Sequence, residues 1–253
     1  MELATELLNL IVPTQCPGCG KWDTTLCANC AALARAQPHE WQLGDAGELR
    51  GWSLGRYADE MRELVLAAKH RRWVRLDGWL QAAGWSLGQA VVPEPGILAT
   101  PKVGDCAIPA PYCSWDPAGR AREIARGEPS SSRVLNQHED RVSVVPIPSS
   151  WRRRWDGMLI TPSIAAATTA ALRSRGFDAH LVPALRMGWT EHSQRGSGKH
   201  QRYHRRSMIL QAGVHQRVVL VDDVLTTGAT LLSAAQALPG SVKTVVAVTL
   251  ARA

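Results

Sequence analysis

The stretch Val218-Val-Leu-Val-Asp-Asp-Val-Leu-Thr-Thr-Gly-Ala-Thr230 decides how this chain is read. Four consecutive apolar residues, mostly β-branched, make a strand buried on both faces, as in a parallel sheet covered by helices. Asp222 and Asp223 follow at its carboxyl end, where sheets of this kind present their ligands. Two adjacent carboxylates there are costly unless a ligand or a cation pairs with them. Residues 224–230 then turn into a helix whose first backbone N–H groups and positive dipole end form a cradle for an anion. Thr226, Thr227 and Thr230 add hydroxyl donors beside Ala229, and Gly228 lets the backbone approach a phosphate. A solvated turn and a threonine-capped helix would account for Thr227 and Gly228. They would not account for two acids ahead of a phosphate-type loop.

Outward from this motif, strands are expected at 142–147, 179–182, 208–210, 218–221 and 242–250. Helices are expected at 162–175, closed by Gly176, and at 228–238. The alternation predicts an α/β domain over 142–253, a parallel sheet flanked by helices. Upstream, Met61, Leu64, Val65 and Ala68 share one face of a helix over 59–69. Residues 71–80 are expected to continue helically around the basic patch 69–72. Residues 43–57 are glycine-rich and read as irregular, so 41–90 as a whole reads as a helical linker region. The pentapeptide Gly-Trp-Ser-Leu-Gly stands at 51–55 and again at 84–88. Its flanks share nothing, which points to coincidence rather than a repeat architecture.

Residues 91–141 form a proline-broken insertion with a polar run at 130–132. One short helix is expected inside it, with Asp116 as N-cap, Pro117 at the first position and Gly127 past the end. Such a long connection is either functional or disordered.

The cysteines divide in two. Cys16, Cys19, Cys27 and Cys30 read C-x2-C-x7-C-x2-C, and two short turns that each present two thiolates suit one tetrahedral Zn2+. A closed set of four ligands predicts a structural zinc module over residues 1–40. Cys106 and Cys113 are loosely spaced in the insertion and are expected to be free thiols.

A net charge of +7 suits an anionic partner, either phosphate groups or nucleic acid. No run approaches the roughly 18 apolar residues of a spanning helix, so no membrane is expected. Residues 1–12 carry Leu3, Leu7, Leu8 and Ile11 with Glu2 and Glu6, the pattern of a short amphipathic helix. They have no basic n-region and no cleavage site, which implies a cytoplasmic protein.

Asp-Asp-Val-Leu-Thr-Thr-Gly-Ala-Thr resembles the 5-phosphoribosyl-1-pyrophosphate (PRPP) motif of type I phosphoribosyltransferases. More narrowly, the chain resembles the ComF family, some members of which are linked to DNA uptake in competence. The likeness includes Leu7-Leu-Asn-Leu-Ile-Val-Pro13 leading into the four cysteines, Lys69, Val145-Pro-Ile-Pro148, and the ending Thr249-Leu-Ala-Arg252. It implies a type I phosphoribosyltransferase-like sheet and a Mg2+-dependent transfer from PRPP to an unknown acceptor. Asp222 and Asp223 would hold the ribose hydroxyls as the catalytic pair, and Thr226, Thr227, Gly228, Ala229 and Thr230 would bind the 5-phosphate. Ser149, Ser150 and Arg152 would face the pyrophosphate. Arg195, Lys199 and Arg202, within 190–207, would belong to a hood that closes over it. The family pattern usually has Arg-Gly-Phe-Asn where this chain has Arg154-Trp-Asp-Gly-Met158. Thr226 also stands where some transferases of this fold place an acid serving a purine ring.

The alternative reading is a non-catalytic PRPP sensor, or an accessory factor handling single-stranded DNA with a DNA-uptake helicase as partner. Trp151 and Trp155 around Arg152–Arg154 would then serve as stacking residues.

Overall fold

A computed structural model describes residues 14–44, 49–71, 73–91, 141–148, 159–190 and 205–253. Several expectations therefore lie outside the described residues: the stripe over 1–12, the helix at Asp116, Cys106 and Cys113. So do Ser149, Ser150, Trp151, Arg152, Arg154–Met158, Arg195, Lys199 and Arg202.

The central strand of the motif is longer than its apolar run. β7 (Arg217–Leu225) begins with Val218, Val219, Leu220 and Val221, all fully buried, and carries on through both aspartates. Burying each of those side chains contributes about 1.5–3 kcal/mol, and their alternation serves both faces of the sheet. β8 (Thr244–Arg252) runs parallel to β7, with pairing from Arg217–Thr244 to Leu225–Arg252. On the other flank of β7 lie β3 (Arg141–Pro146) and then β4 (Asp178–Leu181), both parallel.

The stretch expected to be irregular is a hairpin. β1 (His39–Leu43) and β2 (Leu49–Arg56) pair antiparallel, and β2 joins β8 in parallel to give one sheet ordered β1-β2-β8-β7-β3-β4. The glycines that suggested a loop have a packing cause. A Cβ on Gly51 would strike the Trp41 ring and stand 2.6 Å from the Ala247 carbonyl, so this strand can lie flat only with glycine there.

Two apolar layers cover the sheet. One face holds Val144, Val219, Val221, Val246 and Val248 beneath α2 (Asp59–His70), α3 (Asp77–Ala90) and α4 (Ile160–Ser174). The other holds Val145, Val218, Leu220 and Ala247 beneath Trp41 and α5 (Ala229–Gln236). Leu185 and Met208 of a separate antiparallel hairpin, β5 (Leu185–Thr190) with β6 (Arg205–Leu210), also pack there. The structure is thus a mixed α/β fold on a mostly parallel six-stranded sheet.

α2 matches its expected span, with Asp59 and Glu60 in the first turn and Lys69 and His70 in the last, each complementing the helix dipole. The helix does not continue through 71–80 as expected. Arg71 is extended (φ −106°, ψ 94°), and helix resumes only at Asp77. The break lets Leu76 bury at the start of α3, which packs on α4 rather than following the axis of α2.

The α3–α4 contact is made by small residues. A Cβ on Gly84 would collide with the Ile164 carbonyl and lie 2.9 Å from Ala167 Cβ. One on Gly88 would lie 2.6 Å from Ala171 Cβ and 2.8 Å from the Thr168 carbonyl. Gly78, on the same helix, has nothing within 4 Å of that position. Gly84→Ala and Gly88→Ala should each cost about 1–3 kcal/mol through overpacking. Gly78→Ala should instead stabilise by about 0.5–1 kcal/mol. Urea unfolding of the three variants checks this; equal effects at all three positions would show that the close approach carries no energy.

Candidate functional site

β7 delivers its two acids to opposite faces, because successive strand residues alternate. Asp223 follows Val219 and Val221 toward α2, while Asp222 continues the line of Val218 and Leu220. Both are half-buried. The Asp222 carboxylate accepts the backbone N–H of Asp223 at 2.8 Å. Asp223 meets Lys69, the last-turn lysine of α2, with Nζ 2.7 Å from Oδ2 and the two side chains 12% and 13% exposed. The pair ties α2 to the central strand at the site itself. The acids are therefore not merely solvated, nor do they stand past the end of the strand: the ladder continues to Leu225.

The turn after β7 is short. Thr226 and Thr227 are exposed, Gly228 is buried in the left-handed region (φ 75°), and Ala229 and Thr230 open α5 on the exposed side. Thr227 Oγ1 receives the Ala229 N–H over a long 3.4 Å. The Leu232 N–H bonds the Gly228 carbonyl at 2.9 Å, which starts the helix proper. Gly228 was expected to admit a phosphate. Its Cβ position points at Leu43 of β1, so the positive φ and the packing each demand glycine there as well. Opposite Asp222 in register stands Thr249, whose fully buried hydroxyl has no hydrogen-bond partner among the described residues.

A second cluster lies in the N-terminal segment. A tight turn, with Cys16 N–H on the Lys21 carbonyl and Gly20 N–H on the Cys16 carbonyl, brings Cys16 and Cys19 together. Cys27 is the N-cap of α1 (Ala28–Ala32), which carries Cys30 in its first turn. All four Sγ atoms fall within 4.8 Å of one another, and all four cysteines are free of disulfides. Thiolates bound at about 2.3 Å to one tetrahedral ion would sit about 3.8 Å apart, so a modest contraction gives a zinc site. Four sulfur donors are the set that zinc selects, and this cluster could bind it.

The thiols are electrostatically unequal. Burial works to raise Cys16, but the backbone N–H groups of Cys27, Cys19 and Gly18 outweigh it and bring it down to about 6. Burial foremost, with the neighbouring thiols, pushes Cys30 well above the ordinary range. Four such groups cannot all ionise together without a cation. The cluster is also joined to the main core: Cys16 and Cys30 are buried in it, and the Trp79 indole N–H donates to the Cys30 carbonyl at 3.0 Å.

The structure thus brings Asp222, Asp223 and the 226–230 turn together, and the four cysteines together. The residues expected on the pyrophosphate side lie outside the described ones, although the expected hood over 190–207 is bracketed by β5 and β6, which pair from Leu185–Leu210 to Thr190–Arg205. Sequence reasoning assigned no role to Lys69 and missed Leu43. Lys69 had a visible signal, a cation in the last turn of an amphipathic helix; Leu43 had none. Among the described residues no helix is long and apolar enough to cross a membrane.

One zinc per chain is expected by elemental analysis, and Cys27→Ser should remove it and lower the melting temperature, since binding energy here is folding energy. Zinc-free protein with an unchanged melting temperature after chelation would refute the metal centre.

No family model matches the chain, and no curated protein matches it.

Proposed function

We propose that this chain binds PRPP at the turn after β7 and transfers its phosphoribosyl group to an acceptor, as a ComF-like protein of the type I phosphoribosyltransferase kind. The observation that carries the reading is a buried parallel strand that leads two adjacent carboxylates into a turn opening a helix at a left-handed glycine. Asp222 and Asp223 would accept hydrogen bonds from the ribose hydroxyls. Thr226, Thr227 and Thr230, with the first N–H groups of α5, would hold the 5-phosphate. Hard carboxylate and hydroxyl oxygens suit Mg2+, which when bound with PRPP would neutralise the leaving pyrophosphate. In the transfer the C1–O bond to pyrophosphate breaks with its electron pair on oxygen. The acceptor's nucleophile then bonds to C1 and gives up its proton. The chain's own part is electrostatic: fixed carboxylates favour the positive charge that develops on the ribose.

Calorimetric titration with PRPP, with and without Mg2+, tests this. Asp222→Asn should weaken Mg2+-dependent binding by about 1.5–3 kcal/mol for the charged hydrogen bond lost. The amide oxygen of the variant can still accept the Asp223 N–H. Asp223→Asn should lose both affinity and stability, because it leaves Lys69 without its counter-charge. PRPP binding that is absent, or indifferent to both substitutions, would end this reading.

The second reading, a single-stranded DNA accessory role, is favoured by one surface. Trp73 is 82% exposed on a turn between Arg71 and Arg75, both also exposed, with exposed His70 just before them. A bare indole among cations can stack a base while the arginines meet phosphates. Oligothymidylate binding should then fall steeply as salt rises and drop further in Trp73→Ala. Salt-insensitive binding, or no change on removing the indole, would exclude this surface.

A further inference from the structure

Between α1, the 3-10 turn Leu33–Arg35 that follows it, α3 and α4 lies a cavity of about 380 Å3. That is the size class of small-molecule sites. Among the described residues, none of β7 or of the turn after it lines this space, so it is separate from the candidate PRPP site.

Its inner wall is apolar and fixed. Trp79 and Trp85 are buried, Ala167 comes across from α4, and the Trp79 indole is held by its N–H on the Cys30 carbonyl at 3.0 Å. Gly78, in the first turn of α3, leaves room: a Cβ there would meet nothing within 4 Å. The rim is cationic. Arg35 ends the 3-10 turn and Arg75 precedes α3, and both are exposed at the one opening. Among the described residues no carboxylate lines the cavity, and no acid pairs with the Arg35 guanidinium. Gln81 adds a primary amide, donor and acceptor side by side.

These features together restrict the occupant. An acyl chain would suit the wall but give the Gln81 amide no partner. An inorganic anion would suit the arginines and leave the apolar wall in water. A nucleotide answers all three: its base is apolar on its faces, carries donors and acceptors on its edge, and hangs from a phosphate that a guanidinium fork binds.

We propose that this cavity is a nucleotide site, taking the base against the indole and alanine wall and the phosphate at Arg35 and Arg75. A free mononucleotide and one unit of a single strand present the same chemistry. The inference is independent of PRPP binding. It shares only Arg75 with the single-strand surface, since Trp73 does not line the cavity.

Calorimetry at low salt, with thymidine 5′-monophosphate and with oligothymidylate as probes, provides the test. Wild type should bind at least one of them. Gly78→Leu, which grows into the open space, and Arg35→Glu should each weaken that binding about tenfold or more. Gly78→Ala, and Lys243→Glu at an exposed lysine outside the cavity, should stay within about twofold of wild type. Mononucleotide binding lost in both cavity variants assigns a free nucleotide. Binding of the oligonucleotide alone, lost in the same variants, assigns a strand. No binding of either probe overturns the proposal, as does binding that Gly78→Leu leaves unchanged, whatever Arg35→Glu does. If oligothymidylate binding falls in Trp73→Ala but in neither cavity variant, the proposal fails and the Trp73 surface stands. Should Gly78→Leu not fold, Ala82→Leu, on the same wall, takes its place with the same expected outcomes.

Discussion

The close approach of α3 to α4 is the contact on which one whole side of the molecule depends. Gly84 and Gly88 bring the helix backbones near enough for Thr168 Oγ1 to donate to the Gly84 carbonyl at 3.0 Å. The Arg175 guanidinium, just past α4, donates to the Gly88 and Val91 carbonyls at 3.0 and 2.5 Å and so satisfies the open end of α3. From α3, Trp79 reaches the cysteine cluster. The cysteines, α3, α4 and the sheet are therefore linked in series, and the N-terminal segment is part of the core rather than an appendage to it.

Much of the fold was legible in the sequence, and the repeated pentapeptide shows where legibility ends. At 51–55 Gly-Trp-Ser-Leu-Gly is a strand, while at 84–88 it is the middle of a helix. Identical letters take opposite conformations because their glycines answer to different neighbours: Trp41 and Ala247 in one case, Ile164 and Thr168 in the other. Local propensity is a weak prior, and glycine weakens it further, since it reads as a breaker when its real office is to admit another backbone. Strands with continuous apolar runs, as in β3, β7 and β8, were found because burial on both faces leaves a signature that no partner can mask. Their ends were not, since the ladder continues through Asp222 and Asp223 on polar residues that look like loop.

The candidate site was legible by the same logic, and only in part. Adjacent acids, threonines and a glycine fall in one short segment, so their chemistry can be read without knowing the fold. The cysteine pairs carry their own spacing. Lys69 and Leu43 come to the β7 turn from the other half of the chain, and no periodicity within their own segments says what they will face. Asp223 has a partner that only the packing of α2 supplies.

The pairing of β2 with β8 joins residues near position 50 to residues near position 246. A contact spanning roughly two hundred residues imposes a loop-closure entropy that must be met before its hydrogen bonds repay it, and chains dominated by such contacts fold slowly. Until β8 is in place, β2 with β1 and β7 with β3 are two ribbons, each with a long apolar edge open to pairing with a neighbouring molecule. This sheet is most exposed to aggregation during its assembly, and the interval of exposure is set by the arrival of a single strand.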